Sequence, residues 1–467
     1  MDRIDEIRDV VVIGGGLAGL VAAATAADAG ASVLLADGHP GANRAGTDQV
    51  GRFRFNRGAH ALYRGGQGRS VLRRLGVQVA GVAPPLAGAL GRRGDIVDRL
   101  PYGPTSLART RLLSGRERGR LARELAEFPR LRPDRLADRT VAEWFDERGL
   151  EGGVRALMEQ LARTTTYVAD HDRLSADVVA RYFRLVARSV VYLHGGWATL
   201  LDGLAAAGAR RGVERVAAPV RSAVPDGGRV RVTLAARDAA AAAAAARGNG
   251  GAGPDDGGAA RVEGRERAIL ARAVVVAGGT PDACAAVLPA TPPGWETLGP
   301  PVQVACLDLG LAEPPRTRVL LGVDRPLYLI CHSPPAQLAP RGAAVVHGLR
   351  YRRVDETSSV DARAELEEHC RVAGIEPDAV EEVRYLHRMV ACGAMPTPAS
   401  GGLAGRPGVV DTGLDGVFVA GDWVGAGGHL ADAALTSGES AGRQAARHAS
   451  NAGHATVVAG ATLGAHA

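Results

Sequence analysis

Three glycines, Gly14, Gly16 and Gly19, stand in Gly-x-Gly-x-x-Gly spacing, and a carboxylate, Asp37, follows at the distance at which ribose-binding acids stand. The chemistry open to this set is the grip of a dinucleotide. Gly14 permits a tight turn, Gly16 lets the backbone approach a pyrophosphate, and Gly19 lets a helix pack closely on a strand. Leu17 and Ala18 would begin that helix, with their unpaired N–H groups and the positive end of its dipole toward the phosphates. The elements needed to hold these residues are legible around them. Val10-Val11-Val12-Ile13 reads as a strand, the alanine-rich stretch 17–29 as a helix, and Ser32-Val33-Leu34-Leu35-Ala36 as a second strand that Asp37 ends.

The chain has 467 residues, which suggests two or three modules around sizeable cores. Its formal charge of +6 rests on arginine alone, because the sequence contains no lysine. With so much alanine and glycine beside it, that charge reads as solvated surface, and aromatic residues are too scarce for a base-stacking face, so no nucleic-acid partner is expected. Cys284, Cys306, Cys331, Cys370 and Cys392 show no Cys-x-x-Cys spacing and no histidines at zinc-ligand intervals, which fits a reducing, cytoplasmic compartment and no metal. Residues 1–9 are short and charged rather than a secretory signal, and no apolar run is long enough to span a bilayer. The arginine-rich stretch 109–139 could dock on a membrane surface as a peripheral contact, but a solvated helix face is the preferred reading.

Further along, Arg44 is the one well-placed cation in a turn-rich loop, and Phe53-Arg54-Phe55-Asn56 alternates as a strand before Arg57-Gly58-Ala59-His60. The order of these pieces resembles the flavin-containing amine oxidase and phytoene desaturase superfamily. There a glycine loop, an acid, a Gly-Gly-Arg-like loop and a Gly-x-His stretch line one FAD. The second motif departs here, reading Gly41-Ala42-Asn43-Arg44-Ala45 without the usual glycine pair. The resemblance implies contacts to FAD from Arg44, Gly58, Ala59 and His60, and from the turn at Gly278. It implies a helix after Gly195-Gly196 and an adenine contact through the backbone of Val220. It also makes Gly421-Asp422 the C-terminal flavin motif, with Asp422 on the ribityl chain and the helix after His429 and Leu430 pointing its N-terminus at the flavin pyrimidine.

The resemblance implies an α/β fold: a Rossmann-like FAD-binding domain of the GR2 type with an inserted α+β substrate domain. FAD-binding parts are expected at 1–82, 192–288 and 389–448, and substrate-domain parts at 83–191, expected helical, and 289–388. A low-complexity insertion is expected at 235–260 and a flexible tail at 449–467. Strands at 230–234 and 268–270 should pair with each other.

One glycine fingerprint without a second excludes a separate nicotinamide domain, so FAD would take a hydride from substrate and pass electrons to oxygen, a quinone or another acceptor. Amine oxidases of the superfamily place a lysine near flavin N5, and this chain has none. The motif wording stands nearer the phytoene desaturase-like branch, whose members act on large apolar molecules, so the expected partner is a hydrophobic small molecule. His60 is the candidate acid or base, with a purely hydrogen-bonding role weighed equally. For His429 a helix-capping role is preferred, and for Tyr328 and His332 packing is preferred over substrate contact. Cys392 stands where some relatives tether flavin, but its flanking residues do not match. Two alternatives remain. One is an amine or amino-acid oxidase. The other is a non-redox binding protein resembling guanine-nucleotide dissociation inhibitors, which lose the flavin contacts that Asp37, Arg44 and Asp422 would supply.

Overall fold

Val10, Val11 and Val12 are fully buried, as a β-branched run must be when a strand is covered on both faces of a parallel sheet. The computed structural model describes residues 4–41, 43–84, 86–186, 188–235, 266–356 and 361–463, without the side chains of 4, 5 and 453–463. Strand Ile4–Ile13 lies between Val33–Ala36 and Arg267–Val276, parallel to both, and Glu214–Val216 extends the sheet beyond Val33–Ala36. Strand Arg267–Val276 has two neighbours on its far side. Its first half pairs antiparallel with Arg229–Leu234, with Val232 opposite Ile269 as the sequence led us to expect, and its second half pairs parallel with Val417–Val419. The two ends of the chain therefore meet in one sheet.

Helix Leu17–Asp28 and the C-terminal helix Ala431–Leu463 cross at close range because both present small residues. A Cβ on Gly438 would sit 2.4 Å from Ala18 O, and one on Gly442 2.3 Å from Ala22 O. Where a flexible tail was expected, the backbone stays helical to Leu463, since extending an existing helix fixes one residue per added hydrogen bond and needs no new nucleus.

A second sheet runs in the order Val380–Cys392, Val302–Leu311, Ala344–Tyr351, Leu327–Ser333, Val319–Gly322, Leu90–Arg93, Ile96–Arg99. Its side chains alternate between two cores. Ala305, Leu307 and Leu309 face helix Ala362–Val372, while Val304, Cys306 and Tyr328 join the core formed with Val141–Glu147, Gly152–Thr166 and Ala176–Val186. The last two strands of this sheet are a correction, since 83–191 was expected to be helical. Gly94, at φ +56, turns the chain in a tight hairpin, and Leu90–Arg93 then pairs parallel with Val319–Gly322.

In the arginine-rich stretch, helix Gly115–Glu127 is capped by Ser114 and Glu117, with Arg120 on the Glu124 carboxylate at 2.9 Å and Arg118 donating to Thr110 O at 2.7 Å. Apart from Ala235, the low-complexity insertion lies outside the described residues. Among the described residues no helix is long and apolar enough to cross a membrane.

Candidate active site

A cavity of about 420 Å³ opens at the ends of the parallel strands, where ligands of doubly wound sheets lie. Gly14, Gly16, Leu17, Ala18, Asp37, Arg44, His60, Val220, Gly278, Gly421, Asp422, His429 and Leu430 all line it, so thirteen positions drawn from distant parts of the sequence converge.

The three fingerprint glycines do different work. Gly14 is at φ +106, and a Cβ there would stand 2.4 Å from Ala277 O. Gly19 is behind the wall, where a Cβ would fall 1.9 Å from Gly14 O, so it sets the contact of helix and turn. Beside Gly16 the nearest atom to an added Cβ is Asn43 Oδ1 at 3.7 Å, leaving room for a ligand to approach the backbone at the mouth of helix Leu17–Asp28.

Asp37 marks one end of the cavity. Its N–H donates to Val216 O at 2.9 Å and its Oδ1 accepts from His39 N at 3.2 Å, whereas Oδ2 is buried without a partner. An orphaned carboxylate oxygen beside Val220 fits the two hydroxyls of an adenosine ribose.

At the other end Arg44 makes a paired contact with Asp422, Nη1 to Oδ2 at 2.8 Å and Nη2 to Oδ1 at 3.1 Å, and Nη2 also reaches Gly279 O at 3.3 Å. Gly393 N donates to Asp422 Oδ2 at 3.1 Å. Burial pushes the Asp422 carboxyl up, but the charge and hydrogen bonds of Arg44 with the Gly393 N–H outweigh it and hold the group below the usual carboxylate range. The loop arginine thus braces the aspartate of the last motif.

Gly58 and Ala59 do not line the cavity. Gly58, at φ +99, turns the chain against Met389, and Ala59 O accepts from the Tyr167 hydroxyl, so together they fix where His60 emerges. His60 Nδ1 bonds Gly58 O at 2.9 Å, and its ring meets Trp197 edge-on at 5.0 Å. Burial pushes the imidazole down to about 4.

His429 does not cap the helix with its side chain. Arg406 Nη2 donates to Nδ1 at 3.0 Å, which leaves the proton on Nε2 to be donated to Thr166 O at 3.1 Å, and burial pushes the ring down to about 3. Leu430 follows in the left-handed region at φ +54, a conformation that a branched side chain adopts only when its surroundings enforce it. Helix Ala431–Leu463 then starts against the cavity.

Cys392 is fully buried, donates to Ala394 O at 3.2 Å, and is absent from the wall that Met389, Val390 and Ala391 form just before it. Burial pushes its thiol up to about 12, so it holds no thiolate to bond a flavin.

Sequence reasoning missed several wall residues. Trp197, directly after the Gly195-Gly196 turn, could have been found from that motif, and its buried Nε1 has no partner. Asp432 lies in the first turn of the last helix, accepts from Gly68 N at 2.9 Å, and is pushed up to about 6 by burial. Tyr63 and Tyr167 carried no motif. Behind them a phenol-rich core continues, with Tyr63 against Tyr182 at 4.6 Å, Tyr167 against Tyr351 at 6.2 Å, and Tyr328 against Tyr351 at 6.5 Å. Tyr328 and His332 belong to this packed layer and not to the cavity wall.

A family model described as an NAD(P)-binding Rossmann-like domain matches residues 12–75. No curated protein matches. Among solved structures, an oxidoreductase from Methanosarcina mazei aligns with TM-score 0.66 at 18% identity, over 92% of this chain and 99% of its own. Cyclohexylamine oxidase from Brevibacterium oxydans aligns with TM-score 0.65 at 18% identity, over 94% and 99%. A double mutant of putrescine oxidase aligns with TM-score 0.64 at 14% identity, over 94% and 99%. At such identities the likeness is one of fold. That fold is α/β, a Rossmann-like dinucleotide-binding domain with a separate substrate domain, as in the FAD-dependent amine oxidases.

Proposed function

We propose that this chain is an FAD-dependent oxidoreductase that takes a hydride from a hydrophobic small molecule. The observation that carries the reading is one cavity with an orphaned carboxylate oxygen at Asp37, an open glycine cradle at Gly16, and an arginine-braced carboxylate at Asp422. A short nucleotide would leave the Asp422 end unused, whereas FAD is long enough to meet all three.

When bound, FAD supplies the hydride acceptor. The protein holds and orients it: Asp37 accepts the ribose hydroxyls, the N–H groups at Leu17 and Ala18 take the phosphates, and Asp422 takes the ribityl hydroxyls. The start of the Ala431–Leu463 helix favours negative charge at the neighbouring pyrimidine. The buried tyrosine layer behind Tyr63 and Tyr167 keeps water from that end.

Two substrate readings divide on different observations. The absence of lysine supports the phytoene desaturase-like one. The phenol-bearing wall supports an amine instead, because aromatic faces attract a cation, and the aligned cyclohexylamine and putrescine oxidases act on amines.

The purified protein is expected to be yellow, with one FAD released on denaturation. Anaerobic mixing with cyclohexylamine, putrescine or a polyene such as phytoene then reads substrate class by bleaching of the flavin band. A colourless protein that cannot be reconstituted with FAD overturns the redox reading in favour of a binding protein.

A further inference from the structure

Arg406 is 7% exposed, and its two hydrogen-bond partners are both neutral. Nη1 donates to Gly428 O at 2.7 Å, Nη2 donates to His429 Nδ1 at 3.0 Å, and Nε is buried without a partner. Among the described residues no carboxylate makes an ion pair with it. Arg350 and Arg352, buried as deeply, are each paired with Glu356. The acids whose charge reaches Arg406 are spent on other groups: Asp422 on Arg44 and Gly393 N, and Asp177 on the Ser175 hydroxyl at 2.7 Å and Leu403 N at 2.9 Å. The neighbouring Cys392 thiol stays protonated under burial. A guanidinium keeps its proton, so a positive charge is held out of water without a counter-ion, which costs the fold stability and calls for a role.

The groups that take its N–H bonds belong to the turn that enters the cavity wall. His429, Leu430 and Ala431 line the cavity, and Arg406 stands directly behind His429 without reaching the wall itself. The turn is fixed from the other side as well. His429 N donates to the Tyr182 hydroxyl at 3.0 Å, that hydroxyl donates to His429 O at 2.9 Å, and His429 Nε2 donates to Thr166 O at 3.1 Å. Leu430, at φ +54, is held between this braced turn and the start of helix Ala431–Leu463. Of the carboxylates at this end of the wall, Asp422 is neutralised by Arg44, and Asp432 is turned to Gly68 N at 2.9 Å, at the start of helix Gly68–Arg74.

We propose that Arg406 is a positioning residue of the reaction: it fixes the Gly428–His429 turn against the cavity and gives the pyrimidine end of the flavin site a positive charge, so that reduced flavin is held there as an anion. This rests on the oxidoreductase reading. A hydride brings two electrons and one proton from the substrate. With no second proton taken up, one negative charge remains on the pyrimidine, and a buried cation behind the wall favours it because little water intervenes to screen the pair. The helix N-terminus supplies partial charge on the same side, and Arg406 adds a whole one.

The test reads the flavin and not turnover. The FAD-loaded wild type is reduced anaerobically with dithionite at about pH 6, where free reduced flavin is mostly protonated at N1, and the charge state is taken from the near-ultraviolet absorption. The anionic form is expected; a neutral reduced flavin overturns the proposal without any variant. Arg406→Gln then removes the charge. Its bound flavin is expected to be at least about tenfold harder to reduce, a potential lower by about 30 mV for two electrons, measured against reference dyes. An arginine that only shapes the turn gives a different result, because a loosened turn weakens oxidised and reduced flavin alike and leaves the potential in place. A potential unchanged in Arg406→Gln therefore also overturns the proposal, and if that variant does not fold, the wild-type spectrum decides. A colourless protein that cannot be reconstituted overturns the oxidoreductase reading and this inference together, whereas a yellow protein with neutral reduced flavin overturns the inference alone.

Discussion

Arg44 and Asp422 stand 378 residues apart in sequence and meet in a two-point ion pair, Nη1 to Oδ2 at 2.8 Å and Nη2 to Oδ1 at 3.1 Å. The Asp422 side chain is 4% exposed and that of Arg44 36%. Removing one member leaves the other with an unpaired charge, so Asp422→Asn is expected to destabilise the flavin-free protein by about 1–3 kcal/mol, at the lower end for a buried pair because Arg44 keeps some access to solvent. The Asp422 carboxyl is held below its ordinary value, so its contribution is complete at neutral pH and is lost only as pH falls below about 4. Thermal melts of the wild type and Asp422→Asn at neutral and acid pH check this. Equal melting at neutral pH would show that the pair does not bind the two chain ends together.

Asp37 behaves in the opposite sense. Its Oδ2 is buried without a partner, so the carboxylate is a cost to the empty protein and an asset only to the loaded one. Asp37→Ala is therefore expected to leave the flavin-free melting temperature unchanged or raised, while FAD affinity falls roughly 10- to 150-fold, the equivalent of about 1.5–3 kcal/mol for hydrogen bonds to a charged group. Flavin titration by fluorescence quenching gives the affinity. An affinity unchanged by Asp37→Ala would remove this residue from the site.

The sequence displayed the first sheet because its signals are local. A β-branched run, three glycines and an acid follow one another within a short stretch, and much of the backbone that joins them lines the cavity. Asp422 was also visible from its motif. Its pairing with Arg44 was not, since a contact across the whole chain leaves no local trace. The hairpin at 90–99 was missed for a related reason: Gly91-Arg92-Arg93-Gly94 shows no apolar alternation, and the stretch becomes strand by pairing with Val319–Gly322 far away. Tyr63, Tyr167 and Asp432 likewise look like ordinary core or helix residues until the fold turns them toward one cavity.

Gly16 and Gly19 separate ligand effects from folding effects. An added methyl at Gly19 falls 1.9 Å from Gly14 O, a backbone atom that cannot move aside without opening the turn, so Gly19→Ala is expected to lower the stability of the flavin-free protein severely. At Gly16 the nearest atom is 3.7 Å away, so Gly16→Ala is expected to fold normally and to lose FAD, because the methyl occupies the space the phosphates need. Melting of the empty protein and flavin retention through gel filtration are the two readouts. A Gly16→Ala protein that keeps its flavin would place the phosphates elsewhere.

Buried neutral histidines should dominate the response to mild acid. Burial pushes His60 and His369 down to about 4 and His171 and His429 down to about 3, and it pushes His332 below its ordinary value as well. In the unfolded chain each takes a proton near pH 6.5. Between about pH 6.5 and pH 4 the unfolded state therefore binds more protons than the folded one, so stability rises with pH across that window, is fully present above it, and is lost as the solution is acidified. Each histidine contributes a slope of about 1.4 kcal/mol per pH unit. Asp432 works against them, because its carboxyl, pushed up to about 6, is protonated in the folded state before the unfolded one. The net expectation is an uptake of roughly three to four protons on unfolding near pH 5. Calorimetric unfolding in two buffers of different ionisation heat measures that number directly, and His429→Gln should lower it by about one. Unfolding near pH 5 without net proton uptake would mean that these imidazoles are not held neutral in the folded protein.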